Sequence, residues 1–337
     1  MTTTPYEMLI ESAARLTDVD ALAVLDEAQV SAASSLLQQN QLALESVRRV
    51  LGPECVVPVR YEEAFFSEHC EHFSHLRNLA RAFQAEAWLA ASRNDFRAAA
   101  RSGIDTLELA NAIRRGGLLT DLLVGIAISG IAMEALRRIR TKLDNGTRRQ
   151  AIDQLHRLEA QREPFTDIVA RDRDWEVAVG YEDKPCDFMS HELSDPEECG
   201  LSEDEQKEIR RLLQEMADLP ETEQRKMQHD QDNHILALMR MLAVDLALRH
   251  VYDTTGRFPD ELLSLTPQPL ARLPLDPYTE QPFIYRQLGV ASFCLYSTGP
   301  KLSDGGGHFG PWPSVAAGCA DLCLDADDYW PGGCSLQ

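Results

Sequence analysis

Apolar and polar positions follow a helical period along most of this chain and change to a strand-and-turn pattern only near its end. The pattern predicts helices over Tyr6–Leu16 and Asp20–Val50, the second with Leu36, Leu37, Leu42 and Leu44 among polar neighbours. Pro53 and Pro58 interrupt it, and Cys55–Tyr61 reads as extended. A helix resumes near Glu62 or Ser67 and runs to Ser92, with an Arg93-Asn94-Asp95 turn before the next at Phe96–Arg114. Gly116-Gly117 ends that one, Leu118–Leu143 follows, and Asp144-Asn145-Gly146 stops it. Thr147 is then read as the cap of a helix to Ala160, and Pro164–Val179 as a further helix anchored by Trp175.

From Gly180 to Glu208 the chain is acidic, rich in breakers and poor in large apolar residues, which predicts an exposed connection. Ser202 with Glu205 makes a capping box for a helix through Met216. Gln228–Tyr252 is a long helix with one stripe of Ile235, Leu238, Met239, Leu242, Leu246 and Val251. Gly256 stops it, Asp260–Leu265 is a short helix, and Phe283–Tyr285 and Ser292–Ser297 are strands between Pro and Gly turns. The fold class is therefore mainly α with a small C-terminal α+β part. A helical bundle or irregular solenoid comes first, then a long helix packed on a short antiparallel sheet. The divisions are a helical domain over 1–179, an acidic linker and connecting helix over 180–227, and an α+β module over 228–337.

Length and an apolar fraction of 44% over 337 residues allow two cores. A formal charge of −21 repels phosphate backbones, and the Arg48-Arg49, Arg114-Arg115 and Arg148-Arg149 pairs are too scattered to offset it, so nucleic acid is excluded as a partner class. The beginning of the chain shows no charged segment followed by an apolar one, so no signal peptide is read there. The longest apolar run, Leu122–Met133, is too short for a membrane span of about 20 residues and is read as a buried helix. Gly125 and Ser129 on it would let a neighbouring helix come close. Eight cysteines in local groups suit either disulfides, with Cys186–Cys199 as one clip, or buried free thiols.

The segment from His75 to Ile113, two Ala-rich helices about an Asn-Asp turn, resembles tetratricopeptide-like helical hairpins, without a second copy at a fixed period. Near the other end, an ordered set stands out: Tyr252, Gly256, Pro259, Asp276, Pro277, Pro282, Tyr285, Tyr296, Ser297, Gly299 and Asp304. In this order and spacing it is similar to the soluble part of major pseudopilins of type II secretion systems, over about a third of the chain. The resemblance implies a long helix leading into a small sheet, the tail Asp325–Pro331 as a last strand, and calcium in the loop after the Tyr-Ser-x-Gly strand. Asp304 occupies the matching loop, and Asp325, Asp327 and Asp328 lie in the tail that would fold back toward it. Calcium takes six to eight oxygen ligands, so a solvated acidic turn is the other reading. The helical first part departs from the family, whose members begin with an apolar polymerising helix.

Two polar clusters could carry other chemistry. His69, His72 and His75 recur at threes, so His69 and His72 share a helix face and suit a transition metal, while His75 drifts off it. A plain polar helix start is the alternative. His229, Asp230, Asp232 and His234 sit where the long helix is read to begin, and the helix dipole accounts for the acids there. No phosphate-binding loop, nucleophile elbow or His-Glu-x-x-His motif occurs, and no catalytic residue is assigned. The expectation is a non-enzymatic interaction or assembly protein of the bacterial cell envelope, with an unidentified protein partner. The alternatives are a metal-dependent enzyme using His69, His72 and His75, or a cytoplasmic scaffold.

Overall fold

A computed structural model describes residues 3–19, 30–181, 219–310 and 315–325. It is mainly helical with a small two-stranded antiparallel sheet near the C-terminal end. The helices are α1 (Pro5–Ala13), α2 (Val30–Val50), α3 (Glu63–Ser92), α4 (Phe96–Arg114), α5 (Leu119–Ile139), α6 (Asn145–Ala160), α7 (Phe165–Val179) and α8 (Glu221–Thr255). Strands β1 (Ile284–Gly289) and β2 (Ser292–Tyr296) form the hairpin.

Local chemistry sets most helix ends. Thr4 and Glu7 exchange main-chain and side-chain bonds in a capping box at α1. Asn94 turns the chain with φ of 59°, a value Asn tolerates better than most residues, and Asp95 then caps α4 by accepting from Ala98 N at 3.0 Å. At α6 the cap is Asp144, which accepts from Thr147 N at 2.8 Å; Thr147, read as the cap, lies in the first turn. The Asp144 carboxylate, three residues earlier, reaches the free N–H of the first turn, so the helix starts before the threonine. Gly180 and Gly256 close α7 and α8 in the left-handed region.

The helix α4 is the centre of the molecule. Every residue from Thr106 to Arg114 is buried. One face, with Leu109, Ala110 and Ile113, joins α1, α2, α3 and Trp175 in one cluster. The opposite face, with Ala99, Ala100, Ile104 and Leu107, joins α5, α6, α8 and the C-terminal Phe258, Leu262, Phe283, Leu295 and Leu322. This second cluster crosses from the 1–179 segment into the 228–337 segment. At Gly125 a Cβ would stand 3.0 Å from Ala110 O, so the glycine does admit α4 against α5. The helix α5 is long and apolar enough to cross a membrane, and most of its apolar window is buried by these neighbours.

In the hairpin, Ile284 pairs with Tyr296 and Tyr285 with Leu295, with an irregularity between Gln287 and Gly289. Ser297 continues the ladder by exchanging two 2.9 Å bonds with Leu322. The partner of the strand end is thus Leu322. The tail beyond Asp325, read as a last strand, and the Ser202–Met216 helix lie outside the described residues.

Candidate functional site

The sequence-predicted histidines lie on α3 and meet a carboxylate that the sequence did not point to. His69 and Phe65 stack, at 4.9 Å between ring centroids, and Phe73 meets the same imidazole edge-on. This apolar sandwich presents His69 Nε2 to Asp121 Oδ1 at 2.6 Å, with Asp121 fully buried. The other Asp121 oxygen accepts from Leu118 N at 2.8 Å, at the start of α5. The carboxylate therefore caps one helix and orients an imidazole on another.

His72 follows one turn later, 5.4 Å from His69 between ring centroids and edge-on to it. The ring of Tyr6, from α1, lies within 5.9 Å of His69 and 6.2 Å of His72. Among the described residues Tyr6 Oη and His72 Nδ1 are buried without a hydrogen-bond partner. Burial, then the Asp121 charge, then Cys55 hold the Tyr6 phenol well above its ordinary range. Burial and the neighbouring His69 and His75 push the His72 imidazole down. Burial also raises the Cys55 thiol to about 12, so it is a packed sulfhydryl rather than a nucleophile.

Neutral His72 and neutral Tyr6 beside an Asp–His pair make a buried polar nest under α1. Such a pair can orient an imidazole and hold a proton. Among the described residues no group of three or more metal-ligating side chains comes together. His69 bonds Asp121, and His72 meets His69 edge-on.

The acidic loop after β2 has a different centre from the one read in the sequence. Asp304 accepts from Tyr296 Oη at 2.8 Å, Gly306 N at 2.7 Å and Arg286 at 3.0 Å. The glycine N–H, then the tyrosine hydroxyl, hold its carboxyl below the usual range. The buried carboxylate of the loop is Asp321, which accepts from Gly305 N at 3.1 Å and Gly307 N at 2.9 Å and lies 2.8 Å from Lys301 Nζ. An internal ammonium thus already sits on the loop's buried acid. Asp325 reaches away to Arg140 at the end of α5, and Asp327 and Asp328 lie outside the described residues.

The third cluster changes meaning with the true helix start. The helix α8 begins at Glu221, so Asp232 is three turns inside it and the dipole does not account for it. It is held instead by Arg114, one of whose bonds measures 2.9 Å, and by Arg162. Its charge is favoured by Arg162 and Arg114 against its burial. Among the described residues Cys55, Cys294 and Cys319 are free thiols, while Cys186, Cys199 and Cys334 lie outside the described residues.

No protein-family model, curated protein or solved structure matches the chain.

Proposed function

We propose that this protein is a non-enzymatic interaction or assembly protein, in which a helical body carries a pilin-like hairpin module that engages a protein partner in the cell envelope. The observation that supports this reading is the hairpin itself. Leu288 and Val290, at its tip, are 67% and 68% exposed, and β1 pairs on one side only among the described residues. A strand edge with free main-chain groups beside exposed aliphatic side chains is a natural template for adding a strand from another chain. The similarity of the Tyr252–Asp304 motif set to pseudopilins points to the same kind of use.

The experiment is proximity cross-linking from a photoreactive residue at Val290 in cells, compared with the same probe at Leu42 on α2. Cross-links to one protein from Val290 that vanish in Leu288→Lys support the reading. Cross-links equal at both positions, or none from Val290, refute it.

A further inference from the structure

A cleft of about 240 Å³, partly open to solvent, runs along the hairpin, and residues 291–295 line it without a gap. Successive side chains of a strand point to opposite faces, so consecutive residues line one cleft only where it follows the strand's edge. The cleft is therefore a slot beside the main chain of β2. Phe309 and residues 323–325 lie across it, and Phe258, Asp245 and Arg249 complete the lining.

Ser297 exchanges N–H and C=O bonds with Leu322, both at 2.9 Å, on the edge of β2 away from β1. Alternation along β2 then aims the N–H and C=O groups of Leu295 and Phe293 at that same edge. Those of Tyr296 and Cys294 point to Ile284 and Arg286 of β1. Among the described residues the Leu295 and Phe293 groups on the outer edge have no bonding partner. Leu295 is only 8% exposed, and main-chain groups there are costly to leave unpaired. The segment after Leu322 does not continue the ladder. Arg137 donates to Leu324 O at 3.2 Å and Arg140 holds Asp325, so residues 324 and 325 turn toward the end of α5 and the slot opens.

The charges at the slot balance. Asp245 is shared by Arg249, at 2.7 Å, and Arg140, and Arg140 also takes Asp325. A small charged ligand finds no spare counter-charge, and the volume falls below the roughly 300–1,000 Å³ of small-molecule sites. An extended peptide suits the slot better, because it offers main-chain groups to the edge and alternate apolar side chains to Phe258, Phe309 and Leu324. We propose that the outer edge of β2 is a strand-addition site for an extended, alternately apolar segment of a partner protein, flanked by basic residues. Basic flanks complement the formal charge of −21. The proposal rests on the reading of the hairpin as a partner-binding module, and it names the receiving edge and the class of segment received.

The test is residue-resolved amide exchange on the full chain, with the peptide Lys-Val-Thr-Val-Thr-Val-Lys as probe. The control is the same peptide N-methylated at every valine and threonine, which cannot donate to a ladder. In the chain alone, the Phe293 and Leu295 amides should exchange faster than those of Cys294 and Tyr296. The probe should slow Phe293 and Leu295 about tenfold, and the control should leave them unchanged. Slow exchange at Phe293 and Leu295 in the chain alone would mean that its own residues fill the edge, and would overturn the assignment. No slowing by the probe, or equal slowing by probe and control, would overturn it too. The Val290 cross-links report separately on the partner. Cross-links without peptide protection would remove the β2 site and keep the partner-binding reading, whereas protection without cross-links would keep the site and remove that reading.

Discussion

Lys301 Nζ stands 2.8 Å from Asp321 Oδ1 in the turn that follows β2, and Asp321 is fully buried. With the N–H groups of Gly305 and Gly307 on the same carboxylate, three donors converge on one acid. Removing the ammonium leaves a buried anion with two neutral donors. Lys301→Met should therefore destabilise the protein by about 3 kcal/mol, read by urea denaturation. Adding Asp321→Asn to it should recover part of that loss. If calcium at millimolar concentration restores Lys301→Met and leaves Asp321→Asn unchanged, the loop accepts a hard cation where the ammonium stood.

The Asp121 carboxylate serves His69 with one oxygen and the start of α5 with the other. Asp121→Ala should lose both, costing about 3–5 kcal/mol, while Asp121→Asn keeps an oxygen for Leu118 N–H and should cost less. The ordering of the two variants in equilibrium unfolding is the check. Equal losses would mean that the cap contributes nothing.

The buried Tyr6 hydroxyl has no partner among the described residues, so it carries a desolvation cost with no bond in return. Tyr6→Phe should be neutral or stabilising by up to about 1 kcal/mol. A loss of more than that would reveal a hydrogen bond made by the hydroxyl in solution.

His234 on α8 is buried, and burial lowers its imidazole to about 3. The unfolded chain takes up that proton near pH 6.5, so it binds more protons than the folded one over the window from there down to about 3. The stability contribution is full above that window and is lost as pH falls through it. His72, His156 and His250, also lowered chiefly by burial, act in the same direction. Melting temperature should fall from pH 7 to pH 5, and His234→Gln should flatten the fall. A fall of the same size in the variant would remove His234 as a source.

Two glycines of α5 differ in their surroundings. A Cβ at Gly125 meets Ala110 O at 3.0 Å, while one at Gly130 meets nothing within 4 Å. Gly125→Ala should destabilise by about 1–3 kcal/mol through crowding. Gly130→Ala should stabilise by about 0.5–1 kcal/mol, the ordinary gain of alanine over glycine inside a helix. Thermal melts of both variants decide it.

Helix positions were readable because breakers bracket them: Asn94-Asp95 separates α3 from α4, and Gly256 ends α8. The mainly helical class and the late hairpin followed from the same punctuation. The site residues were half readable. The His69–His72 spacing placed both on one helix, but Asp121 is 52 positions from His69 and reads only as the acid that bounds an apolar run. Asp321 likewise reads as one more tail acid, and only the Ser297–Leu322 pairing puts it under the glycine loop. Arg114 read as part of a scattered basic pair and Arg162 drew no reading, because nothing local shows that two arginines 48 positions apart close on Asp232. Long-range pairing of charges leaves no periodic trace, whereas helix ends do.

With apolar neighbours on both sides, α4 has no outward face along its last nine residues. Selection acting on that stretch would meet constraint at each consecutive position, not at every third or fourth. A saturation-mutagenesis profile across the chain should therefore rise and fall with the helical period along α2 and α3, then run as an unbroken intolerant band from Thr106 to Arg114.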